Sequence, residues 1–430
     1  MRLYGHPGGR LQEMTDTAPT KTISDFEATL NKADTAVASF ERDDKSFIHI
    51  LRNFLRRNPT MIPALVLLLS VLIFGLIESR FLGMGALSTV LKQVTVTGFI
   101  ALAQTLIILT AGIDLSVGAI LVVSSLVMGS TAVTTGVPLP VGFGPMELFG
   151  LSLPVGLTFD RFILPVPLAV AFGVFVGGVM GMINGLLVVK AKLPPFIVTL
   201  GTLSVFEALK LWYSASESVR NVDIAEKAPG LLWFGEGIAF AKSKDPEVID
   251  TGVVITGFGD PRIYFMDTTE FLGVAQLSWG VFMLIILAAV LWYVLNHTAW
   301  GRHVHAIGDD PDAAMLSGIR VGRTLISVYT VAGLICGFAA WIAIGRVGSI
   351  SPIAFADVNL ASITAVVIGG TSLFGGRGSI IGSVLGAIIV GVFITGLSLA
   401  GVDDYWQKFA AGCLVIIAVA LDQWLRRASQ

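Results

Sequence analysis

The feature that most constrains this chain is the stretch 162–189, 28 consecutive residues without a charged side chain. As a helix it would reach about 42 Å at 1.5 Å per residue, more than the ~30 Å hydrocarbon core of a bilayer. The runs 61–77, 277–295, 325–345 and 379–401 likewise contain no Asp, Glu, Lys or Arg. An ordinary soluble domain carries about 25% charged residues. This chain of 430 residues has 13% charged and 54% apolar. Helices and closed barrels alone satisfy every backbone polar group inside lipid, and runs of this length are helical. The sequence therefore reads as an all-α polytopic membrane protein, some of its segments short or broken.

Arg52, Arg56 and Arg57 precede the first run and place the N terminus in the cytoplasm by the positive-inside rule. Ten spans follow, at about 61–77, 93–111, 115–135, 165–189, 193–209, 277–295, 325–345, 359–373, 379–400 and 409–421. The even count returns Arg426 and Arg427 to the same side, and the intervening inside loops hold Lys190, Lys192, Arg302, Arg320, Arg323 and Arg377. The expected organisation is a cytoplasmic tail 1–60, a first helical half 61–209, a periplasmic insertion 210–276, a second half 277–425 containing a cytoplasmic loop 301–324, and a cytoplasmic tail 426–430. The N-terminal tail lacks the apolar core of a cleaved signal peptide, and its 47–54 segment reads as an amphipathic approach to the membrane. The insertion holds ten acidic and six basic residues with strand-like pieces "VVITGF" and "RIYFM". Segment 359–373, at about 22 Å as a helix, is short for a span and reads as a half-helix or re-entrant piece.

Gly173, Gly177, Gly181 and Gly185 recur every fourth residue, and Gly378, Gly382 and Gly386 repeat the spacing. Such stripes let helix backbones approach closely.

Several chemistries are excluded or weakened. No phosphate-cradling G-x-x-x-x-G-K-[ST] pattern occurs, and "GGTSLFGGRGS" at 369–379 reads as a tight turn. Cys336 and Cys413 lie in apolar runs without metal-ligand spacing, and nothing resembles a basic face for nucleic acid. Asp114, Glu207 and Asp357 are too scattered to form an ionisable relay, which weakens ion-coupled secondary transport but leaves it as the alternative. In "LTAGIDLSVGAI", 109–120, the residues Gly112, Asp114, Ser116 and Gly118 read as a structural or gating corner near the membrane boundary, Asp114 capping the next helix. In 301–324, Asp309, Asp310 and Asp312 precede "AAMLSGI", a short amphipathic helix with Ala313, Ala314, Leu316 and Ile319 as its apolar face.

Five motifs together resemble the permease subunits of bacterial ATP-binding-cassette importers for monosaccharides. They are "LTAGIDLSVGAI", "GMINGLLVVKAKLPPFIVTLGT" at 181–202, "AIGDDPDAAMLSGI" at 306–319, "ITAVVIGGTSLFGGRGSIIGSVLGA" at 363–387 and "AGCLVIIAVALDQWLRR" at 411–427. The resemblance implies a homodimer in the lipid of the bacterial inner membrane, enclosing a central pathway. A periplasmic sugar-binding protein feeds it, and a cytosolic ATP-binding subunit that holds ATP and magnesium drives it. This chain is then no enzyme and needs no cofactor or metal of its own. Loop 301–324 matches the family's coupling loop, which assigns Ala306, Gly308, Asp310, Ala313, Ala314, Ser317 and Gly318 to contact with the ATPase. Where family members often have an acidic "ELDAIAAV"-like stretch, this chain has "NLASITAV", with Asn359 and Ala361 in place of acids, a change that resembles fructose- or ribose-type members. Asp310 stands where asparagine is frequent, and the 210–276 insertion is longer than in short members. Gln104, Thr105, Asn184, Asn359, Ser362 and Thr364 interrupt otherwise apolar helices and are the candidates for lining a sugar path.

Overall fold

The computed structural model describes residues 60–134, 137–148, 151–243, 251–255 and 271–427. The expected tail 1–60 and its 47–54 segment, apart from Thr60, together with "RIYFM" and residues 428–430, lie outside the described residues. Among the described residues, seven helices are long and apolar enough to cross a membrane, and two shorter apolar helices accompany them.

The bundle consists of α1 (Met61–Ile77), α2 (Met84–Leu109), α3 (Val117–Gly129), α4 (Val166–Lys190) and α5 (Pro195–Ser214), then, after a short α6 (Asn221–Lys227), α7 (Trp279–His297). Two small helices follow, α8 (Ala299–Asp309) and α9 (Pro311–Leu316). The chain then continues through α10 (Val321–Val347), α11 (Val358–Ile368), α12 (Ile380–Leu399) and α13 (Asp404–Arg427). Prolines at the first helical turn of α4 and α5 supply a preset φ where no amide donor is needed. Gly348, at φ 76°, ends α10 in the left-handed conformation that a residue with a Cβ rarely adopts. The observed starts of α2 and α13 precede the sequence-based boundaries, and α5 continues past 209 to Ser214.

Hydrogen bonds sort the connections into two ends. At one, the Gly376 amide donates to the Leu109 carbonyl (3.0 Å) and Thr199 Oγ1 donates to the Ile113 carbonyl (3.1 Å). At the other, Val219 and Ile350 form a bridge, the Trp279 amide donates to the Glu236 carbonyl (2.8 Å), and Ser88 bonds to the Gln276 backbone. At this second end Arg220 holds the Asp223 carboxyl below the usual carboxylate range through a side-chain hydrogen bond.

Two elements do not run the full distance. The connector 348–357 descends along α3. Ile350 rests against Gly129 and Val358 against Gly118, positions 11 residues or about 16 Å apart on a helix. Helix α11 then covers only 11 residues.

The α4–α10 seam explains the glycine stripe. A Cβ on Gly177 would lie 2.6 Å from the Gly333 carbonyl oxygen, and one on Gly181 would fall on the Tyr329 carbonyl. Gly382 and Gly386 likewise sit against the carbonyls of Gly369 and Ala365 between α11 and α12, whereas Gly378 lies before α12 begins.

Strands β1 (Val137–Leu148) and β2 (Leu151–Phe162) form an antiparallel hairpin between α3 and α4, in a region the sequence reading left as a connection. Strands β3 (Gly237–Ser243), β4 (Thr251–Ile255) and β5 (Phe271–Ser278) form an antiparallel sheet in the order β4-β3-β5, with the "VVI" of "VVITGF" in β4.

Overpacking a tight core commonly costs about 1–3 kcal/mol, and backbone cannot yield as a side chain can. Gly177→Leu is expected to lower the thermal midpoint of the detergent-solubilised protein. Gly412→Leu, on a glycine with nothing within 4 Å of its Cβ position, is expected to leave it nearly unchanged. Equal midpoints would contradict the seam.

Candidate functional site

Helix α2 ends at Leu109, and the chain reverses at once. Ala111 adopts φ 58° and the Gly112 amide donates back to the Ile107 carbonyl (3.1 Å). The reversal brings Asp114 alongside Gln104, whose side-chain amide donates to the Asp114 carbonyl and accepts from the Asp114 amide, both at 3.1 Å. Asp114 is 1% exposed. Its Oδ1 accepts from the Ser116 amide (2.6 Å) and hydroxyl (2.7 Å), and its Oδ2 accepts from Asn184 Nδ2 at 3.2 Å. Asn184 Nδ2 also donates to Ser116 Oγ at 2.8 Å. Asn184 stands six residues before Lys190, which sets the knot roughly 9 Å inside that end of α4.

This corrects the boundary placement of Asp114. The positive φ at Ala111 folds the corner back into the protein, so α3 starts inside the bundle rather than at its end. The carboxylate caps the turn around Ser116, while Ser116, which precedes α3, makes no side-chain bond to the helix amides. One turn on, Asn359 Oδ1 accepts from the Gly118 amide at 2.6 Å and joins the start of α3 to the start of α11. A Cβ on Gly118 would stand 2.5 Å from that oxygen, so the tie requires glycine.

The polar residues read as a sugar path divide accordingly. Gln104 and Asn184 are fully buried braces of the corner. The Thr105 and Ser383 hydroxyls are 2.7 Å apart across α2 and α12. Ser362 Oγ donates to the Asn359 carbonyl (2.8 Å) within α11. Thr364 bonds to the Leu360 carbonyl (2.7 Å) and alone of the six lines a cavity of about 470 Å³ among α2, α10, α11, α12 and α13. Sequence reasoning did not name Gln93, Thr97, Arg346, Asp404, Gln407 and Lys408, polar residues that line the same cavity from three separate helices.

At the Leu109 end, the short helix read after Asp309, Asp310 and Asp312 is α9, and a second helix that the sequence reading did not include, α8, precedes it. Thr298 caps α8, which carries Ala306, with its side chain accepting from the Gly301 amide. Gly308 lies directly on the Leu109 carbonyl and 2.5 Å, measured from its Cβ position, from the Gly376 amide. Asp310 caps α9, its Oδ1 accepting from the amides of Asp312 (2.9 Å) and Ala313 (3.0 Å). Ser317 bonds back to the Ala313 carbonyl (2.9 Å), and Gly318 closes the turn at φ 84°. Ala314 is buried, whereas Met315 and Leu316 are 60% and 87% exposed. The outward apolar surface is therefore Met315 and Leu316, with Ala314 facing inward.

A bundle of apolar helices packed on glycine, with α3 and the short α11 starting at a buried polar knot, has the architecture of a polytopic membrane protein. Residues 86–419 match the family described as "Branched-chain amino acid transport system / permease component", and the chain belongs to that family. It is 44% identical to the fructose import permease protein FrcC of Rhizobium meliloti over 96% of this chain and 98% of the relative. The ribose import permease protein RbsC of Bacillus subtilis is 34% identical over 84% of this chain and 92% of its own, and the galactose/methyl galactoside import permease protein MglC of Escherichia coli is 31% identical over 83% and 91%. These relatives place the chain among the monosaccharide permeases of ATP-binding-cassette importers. No solved structure matches it.

Replacing Asp114 by Leu strands the Ser116 and Asn184 donors, each buried unpaired group costing about 1–3 kcal/mol. Asp114→Leu is expected to abolish accumulation of folded protein, read by monodispersity after solubilisation. Asp114→Asn keeps an acceptor for Ser116 and faces Asn184 with a second amide. Its defect is expected to be smaller, and Asn184→Asp added to it should restore stability by exchanging the two side chains.

Proposed function

We propose that the protein is one protomer of the transmembrane pathway of an ATP-driven monosaccharide importer of the bacterial inner membrane, its termini and its Leu109 end cytoplasmic. The observation that carries this reading is the contact chain from α9 to the corner. Exposed Met315 and Leu316 sit on α9, capped by Asp310. Beside it, Gly308 of α8 packs without a side chain on the Leu109 carbonyl, five residues before Asp114. An apolar pair on a small capped helix suits a groove in a cytosolic partner. A push there reaches the α2–α3 corner through backbone contact rather than flexible side chains.

The partner in this reading is an ATP-binding subunit that holds ATP and magnesium. This chain makes and breaks no bond. A periplasmic sugar-binding protein docks at the opposite end, where α6 and the β4-β3-β5 sheet lie, and the sugar is of the fructose or ribose type. A second copy faces α5, whose outer side presents exposed Gly201, Ser204 and Ala208 with the Glu207–Lys210 ion pair (2.6 Å) behind them. Charged groups inside a bilayer face protein or water rather than lipid, which favours α5 as a side turned to the pathway. The Asp114 oxygens are all engaged by protein donors, which leaves them poorly placed to carry a coupling proton or sodium ion.

Leu316→Asp is expected to reduce co-purification of the cognate ATPase by more than about tenfold, the scale of an interface hot spot, while membrane insertion is unchanged. Undiminished association would remove α9 from the coupling role. Sugar accumulation driven by an ion gradient in vesicles holding this chain alone would establish the secondary-transporter alternative instead.

A further inference from the structure

The cavity of about 470 Å³ runs from the last turn of α10 and the first turn of α13, at Arg346 and Asp404, inward past the Asp357–Lys408 ion pair to Thr364. Its volume falls in the range of about 300–1,000 Å³ typical of small-molecule sites. It exists because 348–357 descends as a connector instead of a helix, leaving space beside α12 and α13. Within that connector Phe355 lines the cavity at φ 58°, a left-handed conformation that costs a bulky residue about 1–3 kcal/mol and recurs at ligand sites.

The lining has unused hydrogen-bonding capacity of both kinds. Arg346, at the last turn of α10 and only partly exposed, bonds to Gln93 Oε1 and has no carboxylate within 4 Å among the described residues. A guanidinium has five N–H donors, so most remain available. The Thr97 hydroxyl, on a side chain that is buried, has no partner among the described residues. Gln407 uses its Nε2 on the Val402 carbonyl (2.7 Å) and keeps its side-chain oxygen, while the Asp404 carboxylate on the rim is unpaired among the described residues. Arg346 and Lys408 balance Asp357 and Asp404, so the cavity carries no net charge.

We propose that this cavity binds one neutral monosaccharide ring in each protomer, a docking site for sugar on the outward side of the permease. The inference rests on the importer reading above and adds the site and its residues. A sugar hydroxyl both donates and accepts, which matches a lining of guanidinium, amide, hydroxyl and carboxylate. A ring's apolar face packs against Phe355 and Phe393. An anionic headgroup or sugar phosphate would meet two carboxylates as well as two cations, so the balanced lining gives it no net attraction.

The test is equilibrium binding of radiolabelled D-fructose and D-ribose to the full chain in nanodiscs, without ATPase or binding protein, alongside uptake by the complete transporter. At least one sugar is expected to bind saturably. Thr97→Val and Asp404→Asn are each expected to weaken that binding about three- to tenfold, the effect of one hydrogen bond, with an unchanged thermal midpoint. Absence of saturable binding, equal affinity in both variants, or displacement by glycerol 3-phosphate but not by unlabelled sugar would each overturn the site. Uptake that persists without such binding overturns the site alone. Failure of the complete wild-type transporter to take up any sugar, with binding retained, overturns the importer reading and not the site.

Discussion

The architecture depends on one buried carboxylate. Asp114 accepts three hydrogen bonds with its side chain, and its own amide and carbonyl are held by Gln104, so five polar contacts fix a residue with no access to water. A polar group taken from water without partners costs several kcal/mol, and a charge costs more. The partners come from α2, from the turn itself and from α4, so the corner forms only once those helices are in place. Because α3 begins inside the bundle, its first amides would lack acceptors, and the Asn359 oxygen supplies one to Gly118. The short α11 is needed at that position for the same reason that α3 starts there.

Around this knot the helices group by the kind of contact they make. Helix α4 is joined to α10 along a seam of glycines where backbone meets backbone, and α3 packs on α4 through Met128 against Gly173. On the other side, α2, α11 and α12 are joined by the Thr105–Ser383 contact and by Gly382 and Gly386 against the α11 backbone. The corner connects the two groups, with Gln104 on one and Asn184 on the other. Packed cores and seams of this kind shift between discrete arrangements rather than deform continuously. A device that alternates access therefore needs a point where both groups are tied and a handle near it, and Gly308 on Leu109 provides the nearness.

The spans were legible because lipid imposes a length and a lack of charge that the sequence must display. Glycine spacing in 173–185 translated directly into the α4–α10 seam. The depth of the corner was not legible. Periodicity marks where a helix stops, but the direction the chain then takes depended on one positive φ, at Ala111. Gln104 and Asn184 were recognisable as polar interruptions, yet their partners, main chain ten residues on and a carboxylate 70 residues away, belong to tertiary structure. The β1–β2 hairpin was not legible because Pro138, Pro140, Gly142 and Gly144 in "VPLPVGFG" are residue types depleted in strand interiors. The capped helix at Asp310 was found because an N-cap is a local signal.

The two ends of the bundle now differ in a way that fits directional transport. The α9 end presents Met315 and Leu316 outward over a backbone joint, a surface whose energy comes from excluding water against a partner. The opposite end presents a charge-balanced cavity with donors and acceptors in excess, a surface whose energy comes from exchanging hydrogen bonds with a hydrated solute. Hydrogen bonds exchanged with water give a modest net gain, so such a site holds its ligand weakly and releases it readily. In the proposed importer, tight capture then falls to the binding protein, and irreversible direction to the ATPase. A permease that held sugar strongly would stabilise one arrangement of its helices and oppose the change to the other.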